Sequence, residues 1–166
     1  MRILVTNDDG LRAAGLPHLI RFCQQMGEVT TIVPFVEQSG KSHGIELRKP
    51  FKVHEVELEP GITAYGVEST PADCVRYGVL ARGMKFDLVI SGINRGFNLG
   101  VDCLYSGTVA AAREAALLGI PAIALSTSIG YYDRVVEQLD RIFDHIRSRR
   151  LLEHHNLYNI NIPENP

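Results

Sequence analysis

Short apolar runs alternate with helical segments along this chain of 166 residues, and this alternation limits the possible fold more than any other sequence feature. The strand-like runs are residues 3–5, 29–34, 86–91, 121–126 and 157–162, and the helical segments are residues 16–23, 71–82, 109–118 and 131–149. Runs of this length have the size of buried strands, and the longer segments repeat apolar residues at helical spacing. The sequence therefore predicts an α/β fold with a mostly parallel sheet.

One stretch departs from the alternation. Residues 45–67 contain two or three alternating segments, which Lys49-Pro50 and Pro60-Gly61 interrupt. Such a pattern predicts an antiparallel hairpin excursion from the sheet. The length of the chain and its 45% hydrophobic content predict one globular domain over residues 1–166.

Composition excludes several classes of partner. The formal net charge is −2, with both signs interspersed, so no strong positive field is present to bind a nucleic acid polymer. No stretch is long and apolar enough to cross a bilayer, and the N-terminus lacks the apolar core of a signal peptide. Three widely spaced cysteines, an odd number, indicate reduced thiols. We therefore predict a cytoplasmic protein that handles small molecules and does not bind membranes.

Four polar clusters are expected to fall where the predicted parallel strands end. They are Asn7–Gly10, Gln38–Gly40, Ser91–Asn94 and Tyr105–Thr108. In an open α/β sheet, ligands bind in the crevice at the carboxyl ends of the strands. We therefore expect the four clusters to converge on one site.

The adjacent carboxylates Asp8 and Asp9 suggest a metal site, because a bound cation relieves their repulsion. Adding Ser39 and Asn94 gives a ligand set made only of oxygen, which suits Mg²⁺ or Mn²⁺ and differs from a Cys/His zinc site. An equally open alternative is that one aspartate caps the following helix while the other is solvated.

Ser106, Gly107 and Thr108 precede an alanine-rich helix, and their hydroxyls and free backbone N–H groups could bind phosphate. The alternative is that Ser106 or Thr108 is an ordinary N-cap. Asn98 lies in a glycine-containing loop where backbone and amide groups could approach a ligand. Among the six histidines, only His43 lies near the predicted site.

Taken in order, the motifs resemble those of the SurE family of survival-protein nucleotidases. The matching segments are Asn7–Gly10, Ser69–Val75, Ser91–Gly96, Asn98–Gly100, Tyr105–Ala112 and Asn159–Pro163. The resemblance implies a Rossmann-like three-layer α/β sandwich, with a mostly parallel central sheet and an antiparallel hairpin excursion. It also implies hydrolysis of nucleoside 5'- and 3'-monophosphates, with polyphosphate as a further substrate, and one divalent cation per subunit, Mg²⁺ or Mn²⁺.

The resemblance assigns individual roles as well. The family's metal ligands match Asp8, Asp9, Ser39 and Asn94, and its phosphate-binding positions match Asn98, Ser106, Gly107 and Thr108. We predict that Asp8, Asp9 and Ser106 are catalytic, with an aspartate orienting the attacking water. Direct attack by an aspartate is the less favoured variant, because Asp8-Asp9 lacks the Asp-x-Asp spacing of phosphatases that form an aspartyl-phosphate.

Two departures from the family pattern are visible. Residues 34–38 read Pro-Phe-Val-Glu-Gln where the family has a Pro-Asp-Arg-Asn-like approach to its loop serine. The family also has a C-terminal region that exchanges between subunits, which we expect this chain to lack. A full-length family member is expected to form a homodimer or tetramer.

Two other functions fit the same sequence. A nucleotide-binding module without hydrolytic activity shares the fold, although the first strand ends in Asn-Asp-Asp-Gly instead of a G-x-G-x-x-G turn. A scaffold or regulatory subunit that has lost its activity is the third reading.

Overall fold

The computed structural model describes residues 1–128 and 131–164. Within these residues, seven strands form one sheet. The strands are β1 (Arg2–Thr6), β2 (Glu28–Pro34), β3 (Val53–Glu59), β4 (Ile62–Val67), β5 (Leu88–Arg95), β6 (Ala122–Thr127) and β7 (Leu157–Ile162). The helices are α1 (Gly15–Gln24), α2 (Pro71–Arg76), α3 (Asp102–Tyr105), α4 (Gly107–Leu117), α5 (Tyr132–Ser148) and α6 (Leu151–His154).

The strand order is β3-β4-β2-β1-β5-β6-β7. All neighbouring pairs are parallel except β3 with β4, which form the hairpin at one edge. This topology confirms the predicted Rossmann-like α/β fold with a mostly parallel sheet and an antiparallel excursion. The carboxyl ends of β2, β1 and β5 therefore lie along one edge of the sheet. The clusters at 7–10 and 38–40 come after β1 and β2, and the cluster at 91–94 lies at the end of β5, whereas the cluster at 105–108 ends no strand and leads into α4.

The central strand β1 shows why helices cover both faces of the sheet. Its residues alternate between faces, so Ile3 and Val5 pack with buried residues of α1 and α5, while Leu4 packs with buried residues of α2 and α4. All three side chains are fully buried. A continuous apolar run is what a strand covered on both faces requires.

Helix α4 lies close to the sheet because its inward positions are small. Ala111, Ala112 and Ala115 are fully buried against β5 and β6. A helix with short side chains approaches the strands closely, so its first turn is brought directly over the ends of β1 and β5. This placement determines the geometry of the site described below.

The structure corrects several boundaries. Residues 45–52 form no strand, so the excursion contains only β3 and β4. The helix predicted over 71–82 is α helical to Arg76 and continues as a π-helical turn over Tyr77–Ala81. Strand β5 extends to Arg95, so positions 91–94 lie in its last part and not in a loop. No helix in the described ranges is both long and apolar enough to cross a membrane.

Candidate active site

The acidic turn after β1 is built by Asn7. Its buried side chain accepts a hydrogen bond from the Gly10 N–H at 3.0 Å and donates one to the Gly10 carbonyl at 3.1 Å. Gly10 has a φ of +85°, a conformation that residues with a side chain rarely adopt. The amide therefore closes a tight turn that presents Asp8 and Asp9 at the edge of the sheet.

Asp8 lies against the first turn of α4. Its carboxylate is 4% exposed and accepts a hydrogen bond from the Thr108 hydroxyl. Burial raises the pKa of Asp8, while the Thr108 hydroxyl and the backbone N–H groups of Gly107 and Thr108 oppose that rise. A Cβ on Gly107 would lie 2.7 Å from the Asp8 Cβ, so only glycine allows this approach. Asp8 thus occupies the anion-binding end of the helix.

Asp9, the next residue in the turn, lines an open cleft. Burial, followed by the neighbouring charge of Asp8, raises the pKa of Asp9 to about 6, and Arg95 partly opposes this rise. The same carboxylate contributes to a raised pKa of Tyr132, for which burial is the larger cause. Helix α1 begins at Gly15 with Ala14 as its N-cap and no side-chain cap. Neither aspartate therefore caps that helix, and the capping alternative was wrong.

The loop after β2 brings Ser39 beside the acidic turn. The Gln38 N–H donates to the backbone carbonyl of Asp8 at 2.7 Å, which ties the two loops together. The exposed Ser39 hydroxyl donates to Glu37 at 2.7 Å. Both oxygen lone pairs of this hydroxyl therefore remain available.

Asn94 stands near the end of β5, next to β1. The parallel register pairs Ser91 with Thr6. Asn94 and the acidic turn both follow this pair, so they lie toward the same edge of the sheet. The Asn94 amide nitrogen donates to the Gly96 carbonyl at 2.7 Å, which leaves its side-chain oxygen free to accept or to coordinate. Beneath them, the buried hydroxyls of Thr6 and Ser91 have no hydrogen-bond partner among the described residues.

The predicted phosphate-binding residues divide into two groups. Gly107 and Thr108 contact Asp8, and Ser106 is the N-cap of α4, with its oxygen accepting the Val109 N–H at 3.1 Å. The capping alternative is therefore confirmed for Ser106, although its O–H remains a free donor. The polar contacts of Asn98 lead elsewhere: its amide donates to Ser126 in β6 at 2.8 Å.

The residues present fit a divalent cation that prefers oxygen ligands. Asp8 and Asp9 supply two carboxylates on one turn, Ser39 a hydroxyl, and Asn94 an amide oxygen. Burial and then the neighbouring charge of Asp8 raise the pKa of Asp9, and a cation would offset both effects. No three His, Cys, Asp or Glu side chains gather at one place in residues 1–128 and 131–164, so a zinc or iron type of cluster is not seen there.

An open cleft of about 1140 Å³ begins at Asp9. Arg12, Arg95 and Tyr132 line the cleft together with Asp9, and Phe35 also forms part of its wall. The cleft continues along α1 and the β3–β4 hairpin, where Val56 and Leu58 add apolar surface. It can therefore accept a group that is part apolar and larger than a phosphate.

Sequence reasoning missed a second layer of residues. It did not single out Glu114, which is buried in α4 and binds both His43 and Arg76. It also missed Asp73, which accepts hydrogen bonds from Ser69 and from the backbone of Glu46. The sequence did contain a signal for Glu114: a glutamate inside an alanine-rich segment that is predicted to pack on the sheet requires a buried partner.

The fold and the site define a class: an α/β protein with an all-oxygen, carboxylate-centred site at the carboxyl ends of parallel strands, beside a helix N-terminus. Residues 3–166 match the model of the family described as Survival protein SurE, and the chain belongs to this family. The predicted resemblance is therefore confirmed.

The chain is similar to proteins named 5'-nucleotidase SurE. It is 42% identical to that of Thermoanaerobacter sp. (strain X514), with 99% of this chain and 66% of the relative aligned. It is 43% identical to that of Solidesulfovibrio magneticus, with 100% and 66% aligned. The crystal structure of the SurE protein from Aquifex aeolicus superposes with a TM-score of 0.79 and 34% identity over 98% of this chain and 66% of that one. The chain thus spans about two thirds of the length of these proteins.

Proposed function

We propose that this protein is a divalent-metal-dependent phosphomonoesterase that hydrolyses nucleoside 5'-monophosphates to nucleoside and phosphate. The observation that carries the proposal is the pairing of the Asp8-Asp9 turn with the first turn of α4, which Thr108 and Gly107 hold in contact. The names of its relatives support the same reaction. Activity on 3'-monophosphates and polyphosphate, which the family resemblance implies, forms part of the proposal.

Asp8, Asp9, Ser39 and Asn94 would hold the cation, either Mg²⁺ or Mn²⁺. When bound, the cation would neutralise charge that develops on the phosphoryl oxygens. The four residues have different freedom to act as ligands. Asp8 is fixed by Thr108, whereas Ser39 and Asn94 each retain an unused oxygen lone pair.

Asp9 is the better candidate of the two aspartates to orient and deprotonate the attacking water. It lines the open cleft, where a water molecule can reach it, whereas Asp8 is almost fully buried. Asp8 is less suited to this step because it already accepts a hydrogen bond from Thr108. We therefore assign Asp9 the role of accepting the proton of the attacking water. Asp8 has the role of a charged ligand that helps to position the cation.

Ser106, at the first turn of α4, would stabilise the phosphoryl oxygens through its hydroxyl. The cap uses the Ser106 oxygen as an acceptor, so its O–H is free to donate to phosphate. Asn98 donates one amide hydrogen to Ser126, and its second amide hydrogen could donate to phosphate. Thr108 differs, because its hydroxyl proton is already directed to Asp8, and Gly107 serves mainly by leaving room for that carboxylate.

The nucleoside would lie in the cleft that begins at Asp9. Phe35 offers an exposed aromatic face to a base, and Arg95 and Tyr132 offer polar groups near the aspartate. Replacement of Phe35 by alanine should raise KM for 5'-AMP several-fold and leave KM for a small aryl phosphate unchanged. Equal effects on both substrates would remove Phe35 from the nucleoside site.

The direct test is phosphate release by the purified chain from 5'-AMP, 3'-AMP, tripolyphosphate and an aryl phosphate, with and without Mn²⁺ or Mg²⁺. The Asp8→Asn variant is measured in parallel, with Asp144→Asn as a matched control on the exposed face of α5. Release that needs the cation, is lost in Asp8→Asn and is retained in Asp144→Asn is the expected result. Nucleotide binding without release would favour a non-hydrolytic binding module instead.

Assembly and location are further parts of the proposal. The family resemblance favours a homodimer or tetramer, which light scattering of the purified protein measures directly. Fractionation of cells that produce the tagged protein tests the predicted cytoplasmic location.

A further inference from the structure

The segment that carries Ser39 has little structure of its own. Residues 35–52 connect β2 to β3, and these described residues include neither helix nor strand. Backbone hydrogen bonds attach the segment at only a few points, among them Gln38 to the Asp8 carbonyl at 2.7 Å and Ser42 to the Tyr105 carbonyl at 3.0 Å. Beyond these backbone bonds, the position of Ser39 depends on contacts made by side chains of the segment.

His43 makes the strongest such contact. Its Nε2 lies 2.8 Å from Glu114 Oε2, and its Nδ1 lies 3.5 Å from Arg113 Nη1. Since a guanidinium can only donate, Nδ1 accepts and Nε2 donates its proton to the carboxylate. The histidine side chain is 20% exposed and that of Glu114 is 8% exposed, so water competes weakly for this hydrogen bond.

Glu114 is a prepared partner for the histidine. Arg76 donates to its second oxygen at 2.9 Å, which balances the buried charge whether or not His43 is present. The carboxylate is therefore fixed from α2 and α4 before the loop docks on it. Loss of His43 should leave a paired Glu114 and a folded protein.

Helix α4 connects this contact to the acidic turn. Thr108 in its first turn donates to Asp8, and Glu114 lies six residues later on the same helix. Six residues correspond to a rise of about 9 Å along a helix, a distance that helical geometry fixes. One rigid element thus holds both Asp8 and the loop that bears Ser39.

We propose that His43 is a positioning residue for the cation site: docked on Glu114, it holds the loop so that Ser39 faces Asp8 and Asp9. The inference deepens the proposed function and rests on it, because Ser39 matters here as a ligand of the proposed cation.

The test measures Mn²⁺ affinity by electron paramagnetic resonance on the purified chain and on His43→Ala, His43→Gln and Glu114→Gln. Removal of a supporting group commonly weakens metal binding by about tenfold or more, and we expect that loss for His43→Ala. Glutamine can still donate to Glu114, so His43→Gln should recover part of the affinity. Asp87→Asn, which breaks an ion pair with Arg2 at the opposite end of the sheet, is the control and should bind Mn²⁺ as the wild type does.

A double-mutant cycle separates positioning from general destabilisation. If His43 acts through Ser39, the double variant His43→Ala/Ser39→Ala should lose no more Mn²⁺ affinity than Ser39→Ala alone. Combining Asp87→Asn with Ser39→Ala should leave the affinity of Ser39→Ala unchanged. Full additivity of His43→Ala and Ser39→Ala would overturn the proposal. So would wild-type affinity in His43→Ala.

Hydrogen exchange of the metal-free protein gives an independent readout. Peptides that cover residues 38–44 should exchange faster in His43→Ala, while peptides from β1 and α5 should not change. Unchanged exchange over 38–44 would refute the role of His43 in holding the loop. The wild type could bind no Mn²⁺ while His43→Ala still exchanges faster than the wild type over residues 38–44. That result would refute the proposed function and leave the loop contact established.

Discussion

Replacing Asp8 by asparagine should abolish the response to metal and leave the fold intact. Asp8 is almost fully buried, and burial raises its pKa. An acid whose pKa is raised in the folded state destabilises that state when it is ionised, so at neutral pH the charge opposes folding. The neutral amide removes both this penalty and the repulsion from Asp9.

The asparagine variant also loses interactions that stabilise the folded state. The hydrogen bond from Thr108 to a charged acceptor is worth about 1.5–3 kcal/mol, and the interaction with the N-terminus of α4 about 0.3–1 kcal/mol. The asparagine oxygen can keep part of the first. We therefore expect the metal-free variant to unfold within about 1 kcal/mol of the wild type, which is a change in Tm of roughly 2–4 °C for a domain of this size.

The rise in Tm on addition of Mn²⁺ should distinguish the wild type from Asp8→Asn. At a Mn²⁺ concentration of about 100 times Kd, binding stabilises the wild type by about 2.7 kcal/mol, or roughly 5–10 °C in Tm. Asp8→Asn should show no such increase, and Asp144→Asn should show all of it, since Asp144 is exposed on α5.

Differential scanning fluorimetry with and without Mn²⁺ makes this measurement. An equal rise in Tm for wild type and Asp8→Asn would refute the assignment of Asp8 as a ligand. A metal-free variant destabilised by more than about 4 kcal/mol would show instead that the buried carboxylate is mainly structural.

Three further outcomes follow from the structure. Gly107→Ala should lower phosphate release by at least tenfold in the activity assay and destabilise the protein by about 1–3 kcal/mol in urea denaturation, because the added Cβ would lie 2.7 Å from the Asp8 Cβ; wild-type activity would contradict the close approach. Leu139→Ala, at a fully buried position of α5, should cost about 2–5 kcal/mol in the same denaturation and leave Mn²⁺ affinity unchanged, and a loss under 1 kcal/mol would contradict its burial. Asp87, whose pKa its hydrogen bonds with Arg2 lower to about 2, stabilises the fold above its unfolded pKa near 4 and loses that effect as pH falls towards 2; the difference in Tm between wild type and Asp87→Asn should therefore shrink over that range, and a constant difference would argue against the pair.

Much of the fold was predictable because its signals are local. The run Ile3–Val5 is apolar at consecutive positions, as a strand covered on both faces requires, and the turn Asn7–Gly10 marks its end. The longer helix α5 shows the same kind of local signal, because its buried residues Val135, Leu139 and Ile146 recur at helical spacing. Boundaries were less predictable, as with β5, whose pairing with β6 resumes at Asn94 after a register shift.

The site was predictable as a set of residues but not as an arrangement. Motif order identified the candidates, yet the sequence could not show that the Thr108 hydroxyl is directed to Asp8, or that the Asn98 amide donates to Ser126. These contacts join residues far apart in the chain, and no local pattern specifies which donor meets which acceptor.

The sequence by itself determined the class of fold and the family, because periodic apolar runs and ordered motifs are patterns of residues that are close together in the chain. Tertiary structure alone decided how these parts cooperate. It placed one end of α4 on Asp8 and a later turn of the same helix on His43, so that a single rigid helix supports two loops of the site. The physical reason is that burial and hydrogen-bond partnership depend on which elements pack together, and packing is settled only when the whole sheet is assembled.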